Sequence, residues 1–234
     1  MKILAVGAHP DDLEILCGGT LRRYVERGDD VVMCHAARGD KGAFASTPEE
    51  IAGVRLAEAR AAAQVAGATH ACLGFSDGEV DASNSDQRAA VVDLVREHRP
   101  DVIITHAPSD YMGDHSAISR LVFECSFHAT LPLLESARPA HDVVAPLLYM
   151  DTLAGVGFVP SEYVDVTATI ETKRVMLEAH ASQLSWLSDH DGVDVVADML
   201  TAARYRGMQC GVDYAEAFMP CAAWLRQVPR RVLP

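Results

Sequence analysis

Apolar runs alternate with helical spacing through the first 130 positions. Lys2–Gly7 (KILAVG) is a short run of strand character, and from Leu13 to Gly28 the positions Leu13, Leu16, Cys17, Thr20, Leu21 and Tyr24 fall at helical intervals. Asp30–Ala36 predicts a second strand. Pro48–Ala66, rich in Ala and Glu, predicts a helix, with Thr47 as its cap and Glu50 three residues on. His70–Gly74 predicts a third strand, Asp86–His98 a helix stopped by Pro100, Asp101–Thr105 a fourth strand and His115–His128 a further helix. This order implies a Rossmann-like α/β fold, a doubly wound and mostly parallel sheet flanked by helices. The C-terminal part is less regular. Pro146–Thr152 and Glu162–Val166 predict strands, and Thr167–Leu187 and Val193–Arg206 predict helices. No linker, repeat or low-complexity segment intervenes, so a single domain is expected over residues 1–234, with its core in 1–130 and an extension of sheet and helices over 140–234.

Composition narrows the class. The chain has 234 residues, of which 49% are apolar, enough for one sizeable core. No stretch reaches the roughly 18 apolar residues of a membrane span. The run Ile3–Ala8 ends at His-Pro-Asp-Asp, short of the roughly 7–15 residues of a signal segment, so a cytoplasmic location is expected. The net charge is −13, and the only lysines before residue 173 are Lys2 and Lys41. Without a basic cluster a nucleic-acid partner is excluded, and a neutral or cationic small molecule fits better. The six cysteines form no CxxC pair and read as buried free thiols of a reducing compartment.

Candidate chemistry gathers at two strand ends. The first strand runs into Ala8-His9-Pro10-Asp11-Asp12-Leu13-Glu14, and Gly18-Gly19 fall inside the following helix, so the glycine spacing of a dinucleotide site is absent. One imidazole beside two carboxylates makes a poor phosphate cradle and a good site for a divalent cation. The alternative, helix capping by Asp11 or Asp12, does not explain His9. A second cluster, Thr105-His106-Ala107-Pro108-Ser109-Asp110-Tyr111-Met112-Gly113-Asp114-His115, follows the fourth strand. First and fourth strands are often neighbours where strand order reverses, which would carry His115 to His9 and Asp12. Two imidazoles and one carboxylate leave positions open for water and substrate. Chemistry alone does not decide which of Asp11 and Asp12 binds the cation. His35 and His70, in or beside apolar strands, read as packed histidines. Ser116 and Ser119 lack a nucleophile-elbow sequence and read as helix surface.

The motif AHPDD followed by GGT, with a later Asp-His after the fourth strand, resembles the LmbE/PIG-L de-N-acetylases. The resemblance extends to Gly39-Asp40 with Gly42, to Arg55 and Glu58 on the second helix, to Asp77 after the third strand and to His180–Trp186 (HASQLSW). It implies that His9, Asp12 and His115 bind Zn²⁺ or another divalent transition metal, and that Asp11 is general base and then acid. It also implies that Arg55 and Asp77 hold sugar hydroxyls, and that Asp114 supports the site. His180, on one helical face with Gln183 and Trp186, divides between packing and substrate contact. Many members carry an imidazole where this chain has Met112. Tyr111, or else His106, would then supply the oxyanion donor. The expected reaction is hydrolysis of an N-acetyl amide on an amino sugar, to acetate and a free amine. The alternatives are an amidase for another N-acyl group or thiol conjugate, and a non-catalytic metal- or sugar-binding relative. A homo-oligomer is compatible with both.

Overall fold

The computed structural model describes residues 1–234. The parallel part of the sheet is built from β1 (Lys2–Gly7), β2 (Asp30–Ala37), β3 (Thr69–Phe75), β4 (Val102–Thr105) and β5 (Leu147–Met150). Two further strands, β6 (Glu162–Asp165) and β7 (Ala215–Pro220), close one edge in antiparallel fashion, and the order across the sheet is β3-β2-β1-β4-β5-β7-β6. The helices of the parallel part are α1 (Asp12–Glu26), α2 (Pro48–Ala66), α3 (Ser85–His98) and α4 (Gly113–His128); α5 (Ile170–Glu178), α6 (Ala181–Asp191) and α7 (Val195–Cys210) follow β6.

Alternation along β1 divides the core between the two faces of the sheet. Ile3 and Ala5 pack with Leu13 and Leu16 of α1, Ala62 of α2 and Met176 of α5. Leu4 and Val6 pack on the other face with Val91 of α3 and Ile118 and Leu121 of α4. A strand buried on both faces is apolar at every position, which is why Ile3–Val6 is a continuous hydrophobic run. The Thr47–Glu50 capping box closes the start of α2: Thr47 Oγ1 accepts from the Glu50 N–H at 3.3 Å, and Glu50 Oε2 accepts from the Thr47 N–H at 2.8 Å.

The C-terminal part differs from its sequence pattern in two places. Strand β7 was not among the expected elements; it enters the sheet between β5 and β6. The helix expected over Thr167–Leu187 is a 3-10 turn at Thr167–Thr169 followed by α5 and α6. The break falls at His180, with φ −85° and ψ 53°. Its ring turns into the interior, and Glu58 of α2 takes over the exposed start of α6, accepting from the Ser182 N–H at 2.8 Å and its hydroxyl at 2.6 Å.

The Gly-Gly-Thr segment of α1 is fixed by a close approach. A Cβ on Gly19 would lie 2.8 Å from Val166. The bare backbone lets Glu216 of β7 accept from the N–H groups of Gly19 at 2.9 Å and Thr20 at 2.7 Å, while Lys173 of α5 donates to the same carboxylate. A buried ion pair thus ties α1, α5 and the antiparallel edge together.

Candidate metal centre and its crevice

β1 lies between β2 and β4, so strand order reverses at its carboxyl end and a crevice opens there. Four residues separate β1 from α1. The last of them, Asp11, has φ 114° and ψ −25°, and its side chain makes no capping hydrogen bond. A non-glycine residue held there costs on the order of 1–3 kcal/mol. Asp12 opens α1, and its Oδ2 accepts from the His9 N–H at 2.7 Å. Across the crevice, β4 leads to α4, whose first turn carries Asp114 and His115. The Thr105 hydroxyl donates to the Val6 carbonyl at 2.9 Å and clasps the two strand ends.

Ligating atoms of His9, Asp12 and His115 all lie within 4.8 Å of one another. Flanking carboxylates decide which ring nitrogen each histidine presents. His9 Nε2 is 3.0 Å from Asp114 Oδ2, and His115 Nδ1 is 3.0 Å from Asp110 Oδ2. That leaves His9 Nδ1 and His115 Nε2 toward Asp12, at 3.5 and 3.3 Å. His115 Nε2 is buried without a hydrogen-bond partner. Carboxylate-held imidazoles aimed at a third carboxylate are the usual setting of a metal-binding histidine pair, so these residues fit a divalent cation. His106 stands behind them. Its Nε2 accepts from the Ala8 N–H at 2.9 Å, and its ring stacks on His115 with centroids 3.9 Å apart. Asp110, His106 and His115 also meet the distance condition for a cation, but the lone pair of His106 Nε2 is engaged by Ala8, and Asp110 by His115.

Burial alone would lower the His9 imidazole, but hydrogen bonds to Asp114 and Asp12 outweigh it and lift its pKa to about 11. The same competition, with Asp12 and Asp110 as the acids, lifts His115 to about 9. His106 goes the other way, to about 4, because burial and the neighbouring His115 dominate. Burial would raise Asp12, yet His115 and His106 hold it well below the usual carboxylate range. Asp11 is pushed up to about 6, first by burial and then by Asp12, against the opposing pull of Arg55.

The crevice opens into a cavity of about 920 Å³ lined by His9, Asp11, Asp12, Lys41, Arg55, Asp77, Tyr111 and Met112, among others. Asp77 accepts from the Gly39 N–H at 2.9 Å, and Asp114 also accepts from the Gly78 N–H at 2.7 Å, so the loops after β2 and β3 are laced to the site. Arg55 is nearly enclosed. It donates to the Pro10 carbonyl at 2.9 Å and lies against Gly39, where φ is +72° and a Cβ would come within 2.5 Å of its side chain. Tyr111 is 62% exposed on the rim, while Met112 ends the loop before α4. His106 is fully buried and does not line the cavity.

His180 is also fully buried and outside the cavity lining. Its Nε2 lies 3.3 Å from Glu14 Oε1, and His35 Nε2 lies 3.4 Å from Glu14 Oε2. His35 Nδ1 in turn meets His70 Nε2 at 3.3 Å. Burial opposes ionisation of Glu14, but the two imidazoles hold its pKa below the usual range. This places His180 in a packed acid–base cluster with Glu14 and His35, outside the cavity lining. Sequence reasoning gave neither Glu14 nor Asp110 a role. Glu14 had one available signal: it shares the apolar face of α1 with Cys17 and Leu21, where a carboxylate needs partners.

Fold and site together define a Rossmann-like α/β protein with a candidate two-histidine, one-carboxylate cation site at the sheet's switch point. The family model "PIG-L: GlcNAc-PI de-N-acetylase" matches residues 4–126, and the chain belongs to this family. It is 30% identical to the diacetylchitobiose deacetylase of Thermococcus kodakarensis over 94% of this chain and 83% of that protein. Among solved structures it is similar to the conserved protein TT1542 from Thermus thermophilus, at 30% identity, 98% coverage of both chains and a TM-score of 0.82. The 4-carboxy-2-hydroxymuconate hydratase GalB from Pseudomonas putida has the same fold, with a TM-score of 0.83 at 20% identity over 99% of this chain and 100% of that one. No helix is long and apolar enough to cross a membrane.

Proposed function

We propose that this chain hydrolyses the N-acetyl amide of an amino sugar, with zinc held by His9, Asp12 and His115. One observation carries the reading: a buried carboxylate, Asp11, raised to about 6, adjoins a cation-binding triad inside a substrate-sized cavity. The amino-sugar substrate is supported by the named activity of the Thermococcus relative.

When bound, the cation supplies polarisation of the amide carbonyl and acidification of water. Asp11 takes a proton from that water as its oxygen adds to the carbonyl carbon. The same carboxyl then delivers the proton to the nitrogen as the C–N bond breaks, leaving acetate and an amine. A pKa near 6 suits both halves of this exchange at neutral pH. Asp114 and Asp110 hold the two imidazoles in the tautomers that face Asp12. Tyr111, on the cavity rim, takes the part of oxyanion donor that an imidazole at Met112 would otherwise fill. Asp77 contacts sugar hydroxyls, and Arg55 adds charge beside Asp11 while pinning the Pro10 carbonyl. All six cysteines are free, in keeping with a cytoplasmic setting.

The test is acetate release from a panel of N-acetylated amino sugars, together with metal analysis of the purified protein. Stoichiometric zinc and turnover that disappears on chelation and returns with zinc are expected. Zinc binding with no acetate release from any N-acetyl amine would instead support the non-catalytic relative. Undiminished turnover after complete chelation would reject the cation's role.

A further inference from the structure

The outer strand β3 is the least covered of the parallel strands. None of its residues is fully buried, whereas β4 is buried throughout. On its α2 side the two elements do not close on each other, and a groove of about 400 Å³ remains. Two glycines help to hold it open. Gly53, inside α2, and Gly74, on β3, both stand on its wall, and a Cβ at either would meet nothing within 4 Å. Glycine weakens a helix interior relative to alanine, and no close approach requires it at Gly53. What Gly53 does provide is the open wall.

The charge of the groove runs against that of the chain. The protein carries −13 overall, yet no carboxylate lines this groove, and two guanidiniums, Arg38 and Arg60, do. Arg60 is exposed and engaged by no carboxylate or carbonyl. Arg38 is fixed: its Nε and Nη2 each lie 2.9 Å from Asp40 Oδ2, and Glu49 stands 4.0 Å from the same Nη2, which leaves Nη1 uncommitted. Both charges bear on Cys72. Partial burial raises its thiol, and the Gly74 N–H, Arg60 and Arg38 pull it back, so the two guanidiniums lie near the same point of the floor. His70, two residues before Cys72, turns Nε2 to His35 Nδ1 at 3.3 Å. Burial, His35 and Arg60 lower its pKa to about 4, so at neutral pH it brings an imidazole without charge. Leu56 and Ala52 of α2 supply hydrocarbon.

We propose that this groove binds a small organic carboxylate, with its charged end on Arg60 and Arg38 and its hydrocarbon body against Leu56 and Ala52. The planar fork of a guanidinium matches a carboxylate with two parallel hydrogen bonds. A bare phosphate would satisfy the guanidiniums and leave the apolar wall wet. The volume is near the lower end of the roughly 300–1,000 Å³ of ligand pockets and admits a short alkyl or aryl acid. The groove shares no lining residue with the cavity at the metal centre, so it stands or falls independently of the hydrolase reading.

The Cys72 thiol reports on the site. It and Cys210 are the exposed cysteines, so alkylation by iodoacetamide, followed peptide by peptide in the zinc-loaded protein, carries its own control. Hexanoate is the probe. At saturation it is expected to slow labelling of Cys72 several-fold and to leave Cys210 unchanged. Arg60→Gln should raise the hexanoate concentration needed for half-protection by on the order of 10-fold. Gly53→Leu, which builds into open space, should remove the dependence on hexanoate. Labelling of Cys72 that ignores hexanoate, or slowing of Cys210 to the same degree, would overturn the site. Equal protection by hexanol, or protection undiminished in Arg60→Gln, would overturn the recognition of a carboxylate. Equal protection by inorganic phosphate would overturn the organic body.

Discussion

The parallel and antiparallel halves of the sheet put their charges to different uses. Around β1 and β4, carboxylates and imidazoles face a crevice, and His115 keeps a buried nitrogen without a partner. Around β5, β7 and β6, charges close on each other: Lys173 on Glu216 and Arg206 on Asp151. Unsatisfied groups at strand ends store reactivity, whereas mutually satisfied groups fix position. The first half is therefore the place where a substitution should stop chemistry and spare the fold, and the second the place where it should do the reverse.

The sharpest way to break that contrast is Asp12→Ala. It removes the carboxylate common to both imidazoles, and it should abolish stoichiometric zinc binding and turnover while leaving the circular dichroism spectrum intact. A globally unfolded Asp12→Ala protein would show that the parallel half also carries stability through this residue. Next comes Asp11→Asn, expected to lower kcat by on the order of 10²–10⁴-fold with zinc content unchanged. Because burial raises the Asp11 pKa to about 6, the active ionised form is lost as pH falls, so kcat/KM should decline below about pH 6. A flat profile down to about pH 5, a full unit below that pKa, would remove Asp11 as the base.

The opposite test is Lys173→Met. Removing one partner of a buried pair costs about 3–5 kcal/mol, and Glu216 would keep only its two backbone donors. Thermal unfolding should drop by on the order of 10 °C, while zinc affinity at low temperature stays near that of the parent. The smallest effect is expected from Asp110→Asn. Its carboxylate orients His115 through Nδ1, and losing such a partner weakens metal binding by roughly 10–100-fold. Unchanged zinc affinity in this variant would show that the stacked His106 ring alone orients His115.

The parallel half was also the more legible. Strands β1 and β4 are apolar throughout and end at polar clusters, so their neighbourhood, and with it the approach of His115 to His9, followed from topology. The antiparallel half hid β7, because Ala215–Pro220 pairs with strands at least fifty residues earlier in the chain and carries a glutamate whose partners lie on α1 and α5. The same limit governed the site. That Asp114 serves His9, and Asp110 serves His115, depends on the turn before α4; adjacency in sequence would have matched Asp114 with its neighbour His115. His180 looked like a continuation of a long helix until the helix broke and sent its ring to Glu14, an interaction across 166 positions.

The backbone of Asp11 has an evolutionary corollary. At φ 114° a glycine would rest without strain. Relief of on the order of 1–3 kcal/mol exceeds the roughly 0.5–1 kcal/mol that glycine's freedom in the unfolded chain takes back. A laboratory selection for heat resistance alone should therefore favour Asp11→Gly, the substitution that also deletes the proposed base. An aspartate held at that backbone at a cost in stability is what the proposed base would require.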